Sequence, residues 1–302
     1  MKLLSHIFGD GWNIAYRHVS AATILEDRST PFTLIPNTWR TWVADPFVFS
    51  HEGTVYLFAE IFDYLTRKGT IGYSSYVNGK WQKWRIAIDE PFHMSYPNVF
   101  VRDGQIYMVP ETSADHTLRL YRAVSFPATW QLEKIIAKDV DWVDTTFFVH
   151  EKCCCAITTD ISDLENHKDL MLSFDDQWDL MSCKEIHEKQ TDISRSGGNF
   201  IVEDHRIVRV TQDCRDHYGS ALVFSQFCPE KLMDTGMGEI LFRLEPKDLP
   251  VHSAKKWIGL HTYNRADGIE VVDLERRRYN PLWLLGLIIW KIGTYLPGEK
   301  NE

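Results

Sequence analysis

Acidic and amide residues punctuate this 302-residue chain at places where strand-like runs begin and end. Asp45, Asn98, Asp144 and Asn199 open such runs; Glu60, Glu111, Asp160 and Asp213 close them. If the runs lie side by side around an axis, these groups meet at one end of it. Carboxylates brought together repel, so one keeps its proton near neutrality while a neighbour stays ionised. An ionised and a protonated carboxyl facing each other are the parts needed to make or break a glycosidic bond. Arg195 beside them either grips a substrate carboxylate or phosphate through two parallel hydrogen bonds, or closes the structure as a buried ion pair. Other polar groups fall near the same strand ends. The substrate-binding candidates are therefore Glu60, His93, Tyr96, Asn98, Arg195, Gln212, Asp213, Tyr218, His261, Tyr263 and Asn264.

The element that must position them is clearest between Ser95 and Thr112. Val99 and Val101, then Ile106, Tyr107 and Met108, favour strands, and Asp103-Gly104 between them signals a two-residue hairpin turn. Glu111 stands where that pattern stops. The unit recurs: Ala44–Phe49, Tyr96–Phe100, Val143–Phe148 and Gly197–Val202 return about every 50 residues, each followed by three further strand-like runs. The last run often starts at a tryptophan (Trp81, Trp130, Trp178), which the repetition assigns to the core. Four strands per repeat at this period is the pattern of propeller blades. A fifth unit is split: Lys256–Asn264 and Gly268–Asp273 supply two strands, and Trp12–Val19 with Phe32–Ile35 supply the other two. The expected fold is all-β, a five-bladed β-propeller over residues 1–275 closed by N- and C-terminal strands, which leaves no open sheet edge. A two-sheet sandwich is the alternative.

Residues 276–302 form a tail that starts at Arg276-Arg277-Arg278 and carries an apolar run, Pro281 to Leu296, broken by Lys291. A spanning helix needs about 20 apolar residues, so this run predicts a short helix. With Trp283, Trp290 and Tyr295 it suits an anionic membrane face, packing on the propeller, or an oligomer contact. The net charge of -9 and the lack of a basic stripe argue against nucleic acid as a partner. The apolar run Met1–Phe8 is too short for a secretory signal. The six cysteines, three of them adjacent at 153–155, make neither a disulfide framework nor a zinc pair. These features predict a cytoplasmic protein, at most peripheral on the inner membrane face. No metal-ligand spacing, glycine-rich phosphate loop or nucleophile elbow is present, so no cofactor and no metal-ligating residues are expected, and metal dependence is left open.

Two resemblances follow from these motifs. Ala44-Asp45-Pro46-Phe47 resembles the first-blade Asp-Pro signature of the arabinanase, levansucrase and invertase superfamily of five-bladed propellers. Ser95-Tyr96-Pro97-Asn98-Val99-Phe100, Pro110-Glu111-Thr112, Gln212-Asp213-Cys214 with Tyr218-Gly219, and His261-Thr262-Tyr263-Asn264 are similar to the propeller domain found beside glucosamine inositolphosphorylceramide transferases and in bacterial polysaccharide gene products. The likeness extends as far as Asp273. It implies a glycan-active site in the funnel, with Asp45 as base or nucleophile, Asp144 as transition-state stabiliser or pKa tuner, and Glu111 as acid, Glu60 being its rival. It implies a carbohydrate-active enzyme, a glycosyltransferase of surface-polysaccharide or glycolipid synthesis. There Asp45 would deprotonate the acceptor and Arg195 would hold a donor phosphate. A glycoside hydrolase using the same carboxylates and a non-catalytic glycan-binding propeller are the alternatives.

Overall fold

Strand formers separated by tight turns build five antiparallel sheets in the computed structural model, which describes residues 8–19, 23–150, 153–163, 165–186, 191–203, 206–229, 238–253, 255–279 and 281–295. Strands β1 (Phe8–His18) and β2 (Thr33–Leu34) come first in the chain. Blade one holds β3 (Thr41–His51), β4 (Thr54–Asp63) and β5 (Lys68–Val77), with β6 (Lys80–Trp81) and β7 (Arg85–Ile88) along its outer edge. Blade two is β8 (Ser95–Arg102), β9 (Gln105–Glu111), β10 (Thr117–Ser125) and β11 (Thr129–Lys138). Blade three is β12 (Trp142–His150), β13 (Cys153–Asp160), β14 (Lys168–Phe174) and β15 (Leu180–Glu185). Blade four is β16 (Ile201–Glu203), β17 (Arg206–Asp213), β18 (Ala221–Phe227) and β19 (Ile240–Leu244). Blade five runs outward as β20 (Tyr263–Ala266), β21 (Ile269–Tyr279), β1 and β2.

The two ends of the chain thus meet in one blade. β1 pairs with β21 continuously from Phe8↔Tyr279 to His18↔Ile269. β21 extends to Tyr279, so the arginine run assigned to the tail belongs to the final strand. At Asp103-Gly104 and Asp267-Gly268 both residues have positive φ, which closes two-residue hairpins at the end of the ring away from the acidic strand ends.

Burial is arranged by junction. Five apolar clusters fill the gaps between neighbouring blades. Trp178 is buried between blades two and three, while Trp130 and Trp81 pack, partly buried, against the clusters flanking blade one. The thinnest cluster, Ile157, Ile186 and Phe227, joins blades three and four. All six cysteines are free thiols.

Helix α1 (Pro281–Tyr295) crosses to blade one and packs on the turn between β4 and β5. Gly286 makes this approach possible, since a Cβ there would lie 2.1 Å from the Tyr64 carbonyl oxygen. Trp283 packs edge-on to Tyr64 and under the Arg67 guanidinium, 4.2 Å from its ring centre, so it is a docking residue and does not face outward. The opposite face leaves Leu285, Ile288 and Ile289 about half exposed, at 45%, 47% and 50%. The side chains of Trp290 and Tyr295, and Leu296 itself, lie outside the described residues. No helix among the described residues is long and apolar enough to cross a membrane.

Candidate active site

The first strands of three blades break register at the same depth. The ladder skips between Ala44 and Phe47 in β3, Ser95 and Asn98 in β8, and Val143 and Thr146 in β12. The first skipped residue of each pair, Asp45, Tyr96 and Asp144, has φ of 51°, 44° and 51°. Such left-handed backbone at non-glycine residues is strained, and a bulge re-aims its side chain. Aligned by sequence, Asn98 is the counterpart of Asp45; the bulges show that Tyr96 is.

Asn98 and Asn264 instead tie blades together around the axis. Asn98 donates to Asn199 Oδ1 at 2.6 Å and accepts the Phe147 N–H at 3.1 Å. Asn264 accepts the Asn199 N–H and donates to the Pro46 carbonyl, both at 2.8 Å. Tyr96 Oη accepts the Gly198 N–H at 2.8 Å and lies 2.8 Å from Thr146 Oγ1. These bonds link all five blades, so the three residues serve ring closure.

Above them sit the carboxyl groups. Asp45 accepts from the Tyr96 N–H at 3.2 Å and from Thr262 Oγ1 at 3.0 Å, and its Oδ1 lies 3.5 Å from His261 Nε2. The other ring nitrogen, Nδ1, is 2.6 Å from Asp273 Oδ2. Asp273 also accepts the backbone N–H groups of Asp45, His261 and Thr262 at 3.0, 3.1 and 2.9 Å. Burial alone would lower the His261 pKa, but the Asp273 and Asp45 carboxylates raise it to about 9. The imidazolium stacks on Trp12, with ring centres 3.8 Å apart. Burial pushes Asp45 up to about 6, the His261 charge opposing it. Asp45, His261 and Asp273 also bring three ligand atoms within 4.8 Å of one another, a grouping that sequence spacing did not show. As placed, the imidazolium is the cation that balances the two carboxylates, with both ring nitrogens facing one.

On the other side of the centre, Asp144 pairs with Arg195 Nε and accepts from Gln212 Nε2 at 2.8 Å. Arg195 Nη2 extends to within 3.7 Å of Glu111 Oε2, and Ser113 Oγ donates to Glu111 Oε1 at 2.8 Å. Burial, then the Asp144 charge, raises the Glu111 pKa to about 8 despite Arg195. Glu60 is likewise raised well above the carboxylate range, by burial and then by Asp45 and Glu111. His93 Nδ1 accepts the Gly69 N–H at 3.0 Å, which leaves the proton of the neutral ring on Nε2, 3.5 Å from Glu60. Burial holds the His93 pKa below its usual value. Glu60 is 6% exposed against 12% for Glu111, so Glu111 is the proton-bearing carboxyl that opens to the mouth. Tyr218, 49% exposed, lies over Arg195 at 5.2 Å and edge-on to His261 at 5.4 Å.

Three expected residues lie elsewhere. Glu60 pairs with Ala44 and Glu111 with Ser95, each the residue just before a bulge. Opposite Val143, the matching place in blade three holds Thr159, and Asp160 caps a turn by accepting the Ser162 N–H at 2.9 Å. In blade four Gln212 faces the centre, and the next residue, Asp213, turns away to Arg215 at 2.7 Å and Arg243 at 2.5 Å. Neighbours on a strand face opposite sides, so a one-residue slip removes a carboxylate from the site. Tyr263 donates to Glu270 at 2.7 Å beside the buried Arg17–Glu270 pair, away from the centre. Sequence reasoning passed over Asp273 and Thr262. The available signal for Asp273 was its place at a second-strand end, like Glu60 and Glu111.

The propeller with its axial carboxyl groups accords with a match by family. The family model described as Glucosamine inositolphosphorylceramide transferase 1, N-terminal, matches residues 20–277. The chain belongs to that family. It is 34% identical over 194 residues to Glucosamine inositolphosphorylceramide transferase 1 of Arabidopsis thaliana, covering 61% of this chain and 25% of that protein. A protein of the same name from Oryza sativa subsp. indica is 29% identical over 245 residues, covering 77% of this chain and 32% of its own length. The chain thus spans a quarter to a third of these curated relatives. Among solved structures, an α-L-arabinanase of Cellvibrio cellulosa complexed with arabinohexaose superposes with a TM-score of 0.51 and 14% identity, over 78% of this chain and 90% of that one. A β-xylosidase/α-arabinofuranosidase from a compost microbial metagenome gives 0.54 and 12%, over 76% and 84%. At such identities the likeness to these solved structures is one of fold.

Proposed function

We propose that the funnel of this propeller acts at a glycosidic bond, and that the chain transfers a sugar during surface-polysaccharide or glycolipid synthesis. The observation that supports this reading is the split in protonation between Glu111 and Asp45. At neutral pH Glu111 holds a proton while Asp45 has lost its own. As the bond from the anomeric carbon to the leaving oxygen breaks, that oxygen takes the Glu111 proton. The acceptor hydroxyl oxygen bonds to the same carbon and gives its proton to Asp45. Asp144 sets negative charge near the developing oxocarbenium ion, and Arg195, between Asp144 and Glu111, holds the two side chains in place. His261 and Thr262 aim Asp45.

With water in place of the acceptor, the same groups perform hydrolysis. Incubation with sugar donors and acceptors separates the outcomes. Transfer with little free sugar, lost in Asp45→Asn and Glu111→Gln, is expected. Free-sugar release lost in the same variants would make the chain a hydrolase. Glycan binding unchanged in both variants, with no turnover on any donor, would leave a non-catalytic binding propeller.

The same reading assigns the outward face of α1 to an anionic lipid surface on the cytoplasmic side. Leu285, Ile288 and Ile289 would enter the interface, with Lys291 and Arg277 exposed nearby in the chain. The turn that α1 packs on joins strand ends at the funnel mouth, so the mouth would face the lipid. Cosedimentation with vesicles containing phosphatidylglycerol should be lost when these three residues become serine; retention would refute this placement.

A further inference from the structure

A second cavity opens on the mouth side of the ring, at the junction of blades four and five. Its volume is about 890 Å³, and its lining includes Lys255, Lys256, Arg276, Arg277 and His217. Glu275 is the acidic residue in that lining. Four cations at one opening contrast with a chain whose net charge is -9. Three segments converge there: the turn after β17, the segment before β20, and the end of β21. Lys256 and Arg277 are exposed, and neither makes an ion pair among the described residues. Arg276 lies over the Trp257 ring at 5.8 Å, which fixes one wall.

The cavity adjoins the funnel through Tyr218. That residue lines the cavity and also packs on Arg195 and His261. Arg195 itself is held between Asp144 and Glu111, so its guanidinium is committed to carboxylates. Recognition of a substrate anion therefore falls to the rim.

We infer that this basic cavity binds the phosphate group of a phosphorylated sugar substrate, a diphosphate or phosphodiester, while the carboxyl groups of the funnel handle the glycosyl end. Lysine supplies point charges, and arginine a planar fork that matches phosphate oxygens. The volume suits a phosphate with an attached nucleoside or lipid headgroup. This inference rests on the sugar-active reading of the funnel for its substrate class, but its test is one of binding alone.

The test titrates the full chain with uridine diphosphate, for a nucleotide source, and with glycerophosphoglycerol, for a lipid headgroup, following heat of binding. The variant Lys256→Glu/Arg277→Glu alters two exposed side chains; Lys80→Glu/Lys83→Glu on blade one makes the same charge change elsewhere. Removing two charge-assisted contacts should weaken binding about a hundredfold in the first variant and leave it unchanged in the second. Binding of the wild type should also fall as salt rises. The tighter of the two probes identifies the source. Equal binding by both variants, or no binding of either probe to the wild type, would overturn the assignment. Glu111→Gln should keep full phosphate binding, so loss of the active-site reading and loss of this one are told apart.

Discussion

Replacing Glu111 by glutamine isolates the proton on which the proposed chemistry depends. The carboxyl is 12% exposed, accepts from Ser113 and stands 3.7 Å from Arg195. In the unfolded chain it ionises near 4.5; in the folded chain, chiefly through burial, near 8. Between those values the unfolded state releases a proton that the folded state keeps. The stabilisation from this group is therefore complete below the lower value and is lost as pH climbs to the upper one. Each pH unit in that window removes about 1.4 kcal/mol, or about 3 kcal/mol in all by pH 7. Glutamine does not titrate and escapes that loss. Apart from a constant offset, Glu111→Gln should gain about 3 kcal/mol on the wild type between pH 4.5 and 7, while turnover falls by roughly 10²- to 10⁴-fold. Urea unfolding of both proteins at several pH values gives the difference directly. A flat difference, or one that favours the wild type as pH rises, would mean that Glu111 is ionised in the folded protein, and the acid role would fail.

Two further outcomes separate site from scaffold. His261→Gln leaves Asp45 and Asp273 facing each other and should cost about 3 to 5 kcal/mol at pH 6. Because the folded His261 titrates near 9, well above 6.5, its stabilisation is full below the lower value and fades toward the upper; the gap to the variant should narrow by pH 9 in the same unfolding assay. Asp213→Asn should lower stability by about 1 to 3 kcal/mol through loss of its pairs with Arg215 and Arg243, yet leave turnover intact. Lost turnover at unchanged stability would return Asp213 to the site.

Local pattern carried the architecture far. Asp103-Gly104 announces its hairpin because two adjacent positive φ values favour such residues, and the repeat period announces blades because each unit closes on itself before the next begins. The split fifth blade was legible for the same reason: its missing strands had nowhere else to pair. Helix α1 was visible as an apolar run. Its docking on Tyr64 through Gly286 and Trp283 was not, since that contact joins residues far apart in the chain.

By itself, then, the sequence determined the strands, their turns and the presence of acids at strand ends, all consequences of short-range backbone and side-chain preferences. The tertiary structure alone decided which acids meet. The bulges at Asp45 and Asp144 set which side chains face the axis, and a single-residue offset sent Asp160 and Asp213 elsewhere. It also decided which acid keeps its proton. For Glu111 burial and the Asp144 charge outweigh Arg195, and for Asp45 burial is opposed by His261; in both cases the shift comes chiefly from burial, trimmed by charges that closure of the ring brings close through space.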